Sequence, residues 1–152
     1  MAQPAVGRKA PEFTLPSGEG KNISLGDLKG KKIVLYFYPK DDTPGCIKEA
    51  CAFRDSNKEI KAKGAVVIGI SADGVESHRK FSDKYDLSFP LVSDEKKEVV
   101  RKYGVWGKKS FMGKEYMGIV RTTFIINEKG IITHIFPKVR VAGHSQEVLD
   151  AL

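Results

Sequence analysis

Short apolar runs alternate with helical patterns along most of the chain. Ile33 to Tyr38 and Ala65 to Ile70 are near-continuous apolar runs of strand length, as expected for strands that are covered on both faces. Between them, the stretch from Cys46 to about Lys63 has apolar residues at roughly helical spacing and is followed by a glycine. This order predicts a strand, a loop, a helix and a second strand parallel to the first.

The alternation continues to the end of the sequence. Helices are predicted over Val75 to Tyr85, Glu95 to Tyr103 and Ser145 to Leu152, the last one capped by His144 or Ser145. Strands are predicted over Phe89 to Val92, Gly118 to Ile126 and Ile131 to Phe136, the last two joined by a turn at Asn127 to Gly130. Near the N-terminus, Phe13 to Leu15 and Asn22 to Leu25 flank a Ser-Gly-Glu-Gly turn and predict a β-hairpin.

Strands that alternate with helices predict an α/β fold. We expect a central, mostly parallel sheet with helices on both faces and an antiparallel pair at one edge. A chain of 152 residues is long enough for one buried core and too short for two, so a single domain over residues 1–152 is expected.

The composition indicates an ordinary globular protein, with 41% apolar and 30% charged residues. No apolar run approaches the roughly 20 residues that a membrane span needs. The first residues, Met1 to Phe13, lack the apolar region of a secretory signal. The sequence therefore predicts a cytoplasmic protein with no membrane contact, although a mature form cut from a longer precursor would have the same pattern.

The net charge of +7 raises the question of nucleic-acid binding. The lysines are scattered over element ends and turns with acidic residues nearby, for example at Lys31, Lys61, Lys96 and Lys108. This distribution favours a solvated basic surface over a nucleic-acid-binding stripe. The charge could still steer an acidic partner or an anionic substrate towards the protein.

The two cysteines, Cys46 and Cys51, are five positions apart. A bond between them would close a very short loop and add little stability, so if they pair, the reason is chemical. Five residues along an ideal helix, two Cα atoms are about 8.7 Å apart, whereas a disulfide requires about 4.4–6.8 Å. Pairing therefore requires the first helical turns to unwind, which predicts a helical dithiol form and a locally unfolded disulfide form. The alternative interpretation is that Cys51 is a small buried core residue.

Cys46 is predicted in the first turn of a helix, beyond the carboxyl end of a central strand, which is where sites lie in open α/β sheets. Unpaired N–H groups and the helix dipole stabilise a thiolate there. Acidifying a thiol raises its thiolate fraction at pH 7 from about 3% to about 90%, a gain too small to make a fast reaction on its own. Donors that polarise the bond under attack and stabilise the departing anion are also needed, and we expect the Thr43 hydroxyl and the Arg121 guanidinium to supply them.

Arg121 is predicted inside a strand buried on both faces, where an unpaired arginine would be costly. The alternative is that the strand is half covered and Arg121 is solvated.

The segment from Pro39 to Cys46, Pro-Lys-Asp-Asp-Thr-Pro-Gly-Cys, resembles the peroxiredoxin active-site pattern Pro-x-x-x-Thr/Ser-x-x-Cys. The longer stretch YPKDDTPGCIKEAC resembles the bacterioferritin-comigratory, or PrxQ, subfamily, including the second cysteine. APEFTLP, GISAD, FPLVSD and RTTFII extend the resemblance over nearly the whole chain. Ile47 stands where this subfamily often has threonine, which should alter helix packing and not the chemistry.

The resemblance implies a thioredoxin-like fold with an N-terminal hairpin extension and an atypical 2-Cys thiol peroxidase. Cys46 would attack hydrogen peroxide or an organic hydroperoxide and become a sulfenic acid. Cys51 would then condense with it as an intramolecular disulfide, which thioredoxin or a similar dithiol would reduce. The resemblance also favours a monomer, and no metal or other cofactor is expected.

The resemblance assigns roles to four further residues. Thr43 would hold the peroxide, Pro39 would shield the sulfenate from water, and Arg121 would stabilise the thiolate and the transition state. Glu49, one helical turn after Cys46, would orient the arginine. For Glu49, an exposed helix carboxylate is the simpler alternative.

A thiol–disulfide oxidoreductase on the same fold is the main rival hypothesis. Such proteins use Cys-x-x-Cys and a cis-proline facing the site, whereas this chain has Cys-x-x-x-x-Cys and Arg121-Thr122-Thr123.

A metal-binding or redox-sensing module is the second rival, but it would need two further ligands. His78, His134 and His144 lie on three different elements and are interpreted as surface or capping residues.

The chain has no Gly-rich phosphate loop, so a flavin or nicotinamide is not expected. Trp106 is predicted on a loop near the rim of the site, in a packing role.

Overall fold

Strands and helices alternate along the chain much as the hydrophobic pattern predicts. The computed structural model describes residues 3–152. The strands are β1 Thr14–Pro16, β2 Asn22–Ser24, β3 Lys32–Phe37, β4 Ala65–Ser71, β5 Leu91–Ser93, β6 Trp106–Phe111, β7 Lys114–Ile119, β8 Thr122–Ile126 and β9 Ile132–Phe136. The α-helices are α1 Pro44–Ala62, α2 Val75–Tyr85, α3 Glu98–Lys102 and α4 His144–Ala151, and a 3-10 helix covers Leu25–Leu28.

The central sheet has five strands in the order β5-β4-β3-β8-β9. Strands β3, β4 and β5 are parallel, while β8 runs antiparallel to both β3 and β9. The predicted mixed sheet with an antiparallel pair at one edge is therefore confirmed. The N-terminal hairpin is confirmed as well, since β1 and β2 pair antiparallel.

Each face of the sheet is covered by an apolar core, because side chains along β3 point alternately to opposite sides. The core on one face combines Val34 and Tyr36 with Phe53 of α1, Phe81 of α2 and Val148 of α4. The core on the other face combines Leu35 and Phe37 with Val100 of α3 and with Phe13 from the N-terminal segment. The prediction that helices cover both faces is confirmed.

Several predicted boundaries are wrong. Helix α1 begins at Pro44, two residues before the predicted start at Cys46. Helix α3 begins at Glu98 and not at Glu95, because Lys97 has a left-handed backbone and the Asp94 carboxylate accepts the Val100 N–H at 2.8 Å. Strand β5 begins at Leu91, two residues later than predicted. Gly143 takes the N-cap position of α4, so neither His144 nor Ser145 is the cap.

The predicted strand from Gly118 to Ile126 is two strands in different sheets. Its first part belongs to β7, which pairs with β6 in a separate hairpin, and its last part is β8 of the central sheet. Between them, the Val120 N–H donates to the carbonyl of Val105 and the Arg121 carbonyl accepts from Val139. The chain therefore leaves the hairpin at Val120 and Arg121 before it enters the central sheet.

Trp106 is the first residue of β6, so its prediction on a loop is wrong. Its packing role is confirmed, because the half-buried ring packs against the core that contains Val100. The Lys97 ammonium lies over this ring, 5.3 Å from the ring centroid. Among residues 3–152, none of the helices combines the length and the apolar character that a membrane crossing requires.

Candidate active site

Cys46 is the third residue of helix α1 and only 1% of it is exposed. Thr43 is the N-cap, Pro44 occupies the first helical position, and the first helical hydrogen bond runs from the Ile47 N–H to the Thr43 carbonyl at 2.8 Å. The N–H groups of the first turn have no helical acceptor, and the helix dipole is positive at this end. The sulfur of Cys46 therefore lies beside partial positive charge, and the predicted place of Cys46 in the first helical turn is confirmed.

The Arg121 guanidinium contacts two side chains of α1. Its Nη2 donates to Sγ of Cys46 at 3.4 Å, and its Nη1 donates to Oε1 of Glu49 at 2.6 Å. The Arg121 side chain is only 17% exposed. The planar guanidinium can donate to both groups at once because its N–H groups point in different directions. The alternative of a solvated Arg121 is wrong, although the residue lies between two strands and not inside one.

Gly45 makes room for this contact. A Cβ atom at that position would lie 3.1 Å from Nη2 of Arg121, closer than side chains normally approach. The absence of a side chain at Gly45 thus lets the guanidinium reach the start of the helix.

Glu49 is 1% exposed, so the interpretation as an exposed helix carboxylate is wrong. Burial raises the pKa of Glu49 to about 7, and the charge and hydrogen bond of Arg121 only partly oppose this effect. Its second oxygen, Oε2, has no hydrogen-bond partner within residues 3–152. Near neutral pH the carboxyl can therefore exchange a proton next to the guanidinium that contacts Sγ of Cys46.

Tyr36 contributes a second buried oxygen without a hydrogen-bond partner in the described part of the chain. Burial, followed by the negative charge of Glu49 and Cys46, raises the pKa of this phenol well above its usual value. The phenol stays neutral and adds no negative charge to the site.

Thr43 and Pro39 lie on the loop between β3 and α1. Both are half-buried. The Thr43 hydroxyl donates to the carbonyl of Lys40 at 2.8 Å, so its hydrogen is engaged while its oxygen remains able to accept. The structure thus brings the predicted threonine to the start of the helix that carries Cys46.

Cys51 is half-buried within the same intact helix, and both cysteines are free. The helical separation of about 8.7 Å between their Cα atoms exceeds the reach of a disulfide. The structure is therefore the helical dithiol form.

Lys109 is a cation near the site that the sequence analysis missed. Its ammonium donates to the carbonyl of Ile119, two residues before Arg121, at 3.0 Å. Burial and the positive charge of Arg121 lower the pKa of Lys109, while the negative charge of Cys46 raises it. The only signal in the sequence was a lysine in the segment leading to the arginine, and that segment was not recognised as a hairpin.

The interpretation of the histidines as surface or capping residues is correct for His134, which is exposed, and wrong for the other two. His144 is buried and lies 2.8 Å from the Thr123 hydroxyl. His78 is fully buried beside Asp41, 2.7 Å from its carboxylate. Both contacts join residues far apart in the chain, so the sequence carried no local signal for them.

One group of side chains in the described residues has the spacing of metal ligands. Possible ligand atoms of Asp41, Asp73 and His78 all lie within 4.8 Å of one another. Hydrogen bonds engage these atoms, since His78 contacts Asp41 and the Asp73 carboxylate accepts from the Asp41 N–H and from Ser71. Hydrogen bonds within the protein therefore explain why these possible ligand atoms lie close together.

Comparison with known proteins places this arrangement in a family. Residues 6–135 match the model of the AhpC/TSA family. The chain is 56% identical over 147 residues to a protein of Coxiella burnetii that bears the name peroxiredoxin bcp, with 97% of each chain covered.

Solved structures agree with this result. A cysteine-to-serine variant of Xylella fastidiosa PrxQ superimposes with a TM-score of 0.93 at 32% identity, covering 99% of this chain and 96% of that one. The bacterioferritin comigratory protein of Xanthomonas campestris, studied for its alkyl peroxide reduction activity, gives a TM-score of 0.87 at 39% identity, covering 91% of this chain and 88% of that one. The thioredoxin-like fold expected from the sequence is confirmed. The chain therefore belongs to the AhpC/TSA family, among the Bcp/PrxQ peroxiredoxins, and is a thiol-dependent peroxidase.

Proposed function

We propose that Cys46 is the peroxidatic nucleophile and that Cys51 resolves its oxidised form. The observation that carries this proposal is the contact between Nη2 of Arg121 and Sγ of Cys46, at the start of a helix and in a nearly closed site. The start of the helix and the guanidinium both place positive charge beside this sulfur. Cys51 lies in the interior of the helix, away from its positive end, and is half-buried.

In the first step, the Cys46 thiolate attacks the terminal oxygen of the hydroperoxide. An S–O bond forms, the O–O bond breaks, and the departing alkoxide or hydroxide takes up a proton to give an alcohol or water. Negative charge moves from sulfur to the leaving oxygen during this step. The Arg121 guanidinium can stabilise the charge at both positions without moving. Glu49 orients the guanidinium through the 2.6 Å hydrogen bond.

The loop residues complete the site in this proposal. Because the Thr43 hydroxyl donates to Lys40, its oxygen is free to accept the hydrogen of the bound hydroperoxide. Arg121 and the helix N–H groups then act as donors to the peroxide oxygens. Pro39, half-buried on the same loop, limits the access of water to the sulfenate.

In the second step, the first turns of α1 unwind and the Cys51 sulfur attacks the Cys46 sulfenic acid. An S–S bond forms and the hydroxyl group leaves as water after it takes up a proton. A dithiol then reduces the disulfide by two thiol exchanges and is itself oxidised. A peroxiredoxin needs such a reductant, and we propose that thioredoxin or an equivalent dithiol protein supplies it.

We further propose that the substrates include hydrogen peroxide and organic hydroperoxides and that the protein acts as a monomer. The single domain over residues 1–152 and the cytoplasmic location stay predictions.

Peroxide consumption with dithiothreitol as reductant tests the assignment of the cysteines. Wild type and Cys51→Ser should both carry out the first turnover, and Cys46→Ser should carry out none. Retention of peroxidase activity by Cys46→Ser would overturn the proposal. An insulin-reduction assay tests the rival oxidoreductase, and wild type should be inactive in it.

A further inference from the structure

A buried hydrogen-bond network holds the loop that leads into α1. Oδ2 of Asp41 lies 2.7 Å from Nδ1 of His78, and both residues are buried, at 7% and 0% exposure. Tyr38 donates its hydroxyl to Oδ1 of Asp41 at 2.5 Å, and Ser77 donates to Oδ2 at 2.8 Å. The Asp41 carboxyl group therefore makes hydrogen bonds with three other side chains.

The contacts of His78 reach two further elements. Nε2 lies 3.0 Å from the carbonyl oxygen of Val92, which can only accept, so Nε2 carries a hydrogen. Nδ1 lies against the Asp41 carboxyl group. The imidazole therefore joins the loop to strand β5 from its position on helix α2.

Two consecutive residues attach the loop to its surroundings, Asp41 through its backbone and Asp42 through its side chain. The Asp41 N–H donates to Oδ2 of Asp73 at 2.8 Å. Next to it, the Asp42 carboxylate accepts from the Lys84 ammonium at 2.9 Å and from the Tyr85 hydroxyl at 3.1 Å. The loop is therefore anchored to elements that do not belong to helix α1.

The contacts that hold the loop are separate from those that hold the helix. Unwinding the first turns of α1 breaks hydrogen bonds such as the one from the Ile47 N–H to the Thr43 carbonyl. The partners of Asp41 all lie outside α1; they are Tyr38, Asp73, Ser77 and His78. The helix can therefore unwind so that Cys51 reaches Cys46 without breaking the contacts of Asp41.

We propose that Asp41 and His78 are positioning residues, which keep the loop from Pro39 to Thr43 in the same place in the dithiol and disulfide forms. Thr43 and Pro39 then stay in position while the helix unwinds, and the peroxide site reassembles against a fixed loop after each reduction. This inference rests on the proposed roles of Cys46 and Cys51.

Nitrogen-15 NMR of histidine-labelled wild-type protein tests the pair directly. A slowly exchanging Nε2–H signal of His78, assigned by its loss in His78→Gln, should be present in the reduced protein. It should keep its chemical shift after oxidation with one equivalent of hydrogen peroxide. Loss or displacement of this signal on oxidation would overturn the inference, because it would mean that the contacts of His78 open.

Kinetics separate positioning from general stability. His78→Gln should lower the second-order rate constant for sulfenate formation at Cys46 about tenfold, because the loop is no longer held in the reactive geometry. Asp41→Asn should have the same effect, and the double variant should fall no further, because the two residues act as a unit. Val99→Ala, in the core on the other face of the sheet, is the control: it should lower the melting temperature and keep the rate constant.

An unchanged rate constant in a destabilised His78→Gln protein would show that the pair is merely structural and would overturn the inference. Failure of the proposed function looks different. In that case wild type forms no sulfenate at Cys46, while the NMR signal of His78 can still be observed in the reduced protein.

Discussion

Nη2 of Arg121 lies 3.4 Å from Sγ of Cys46, although the two residues are 75 positions apart in the chain. The contact exists because the chain leaves the β6–β7 hairpin at Val120 and enters the central sheet at Thr122, beside β3. The same guanidinium is held by the buried carboxylate of Glu49. One side chain thus connects the Cys46 sulfur with a carboxyl group of the same helix.

Arg121→Lys tests whether the reaction needs both hydrogen bonds of the guanidinium, one to Cys46 and one to Glu49. An ammonium keeps the charge but lacks the planar fork, so it cannot serve Cys46 and Glu49 in the same geometry. We expect kcat/KM for hydrogen peroxide to fall by about 10²-fold, the usual effect of losing one donor to a developing anion. Arg79→Lys is the matched control, since Arg79 forms a surface pair with Glu76, and it should be fully active. Full activity of Arg121→Lys would show that positive charge alone is sufficient.

Gly45→Ala tests the position of the guanidinium. The added Cβ would lie 3.1 Å from Nη2 of Arg121 and should displace it by a few tenths of an ångström. Such a displacement should lower the rate of peroxide attack roughly fivefold, because reactivity depends steeply on geometry. Gly26→Ala, whose Cβ would lie 3.3 Å from the Glu12 carboxylate, introduces a similar contact away from Cys46 and should not change the rate. Equal rates for the two variants would contradict the claim that the rate of peroxide attack depends on the position of the Arg121 guanidinium.

Glu49 should make stability depend on pH. Its pKa rises from 4.5 to about 7 on folding, so the folded protein holds a proton that the unfolded chain releases. The contribution is fully present below pH 4.5 and is lost as pH rises to about 7. Relative to Glu49→Gln, wild type should therefore lose roughly 3 kcal/mol of unfolding free energy across this window.

Denaturant unfolding of wild type and Glu49→Gln between pH 4 and pH 8 measures this difference. The exposed Glu128 provides the control, because Glu128→Gln should follow the wild-type curve. A constant difference between wild type and Glu49→Gln at all pH values would contradict the account of the buried carboxyl.

Much of the fold could be predicted from the sequence because its signals are local. Helix α2 has the predicted bounds, Val75–Tyr85, and β3 and β4 are shifted by at most one residue. The β6–β7 hairpin was missed because four of its large apolar side chains face solvent, so the pattern lacks the alternation of a half-buried strand; these are Phe111, Met112, Tyr116 and Met117. Its turn uses positive φ at Met112 and Gly113, as a type I′ turn requires, and methionine is not a residue that signals one.

The candidate site was predicted as far as residue types and helix position allow. The burial of Glu49 could not be predicted, because its partner Arg121 comes from a distant segment and a lone helix carboxylate is normally exposed. The same holds for His78, whose partner Asp41 lies 37 positions earlier. Contacts between charged groups far apart in the chain leave no periodic pattern in a single sequence.

The unwinding of α1 can be followed by far-ultraviolet circular dichroism. Oxidation of wild type by one equivalent of hydrogen peroxide should reduce the helical signal by about two turns, or roughly seven residues. Oxidised Cys51→Ser should keep the signal of the reduced protein, because no disulfide can form. An oxidised wild type with a complete helix would mean that Cys46 and Cys51 do not pair.

Intact mass spectrometry after one equivalent of hydrogen peroxide tests the central claim most directly. The account predicts that wild type loses two hydrogens, that Cys51→Ser gains one oxygen at Cys46, and that Cys46→Ser is unchanged. A wild-type protein that keeps its mass, or a Cys46→Ser protein that gains oxygen at Cys51, would contradict the assignment of Cys46 as the sulfur that reacts with peroxide.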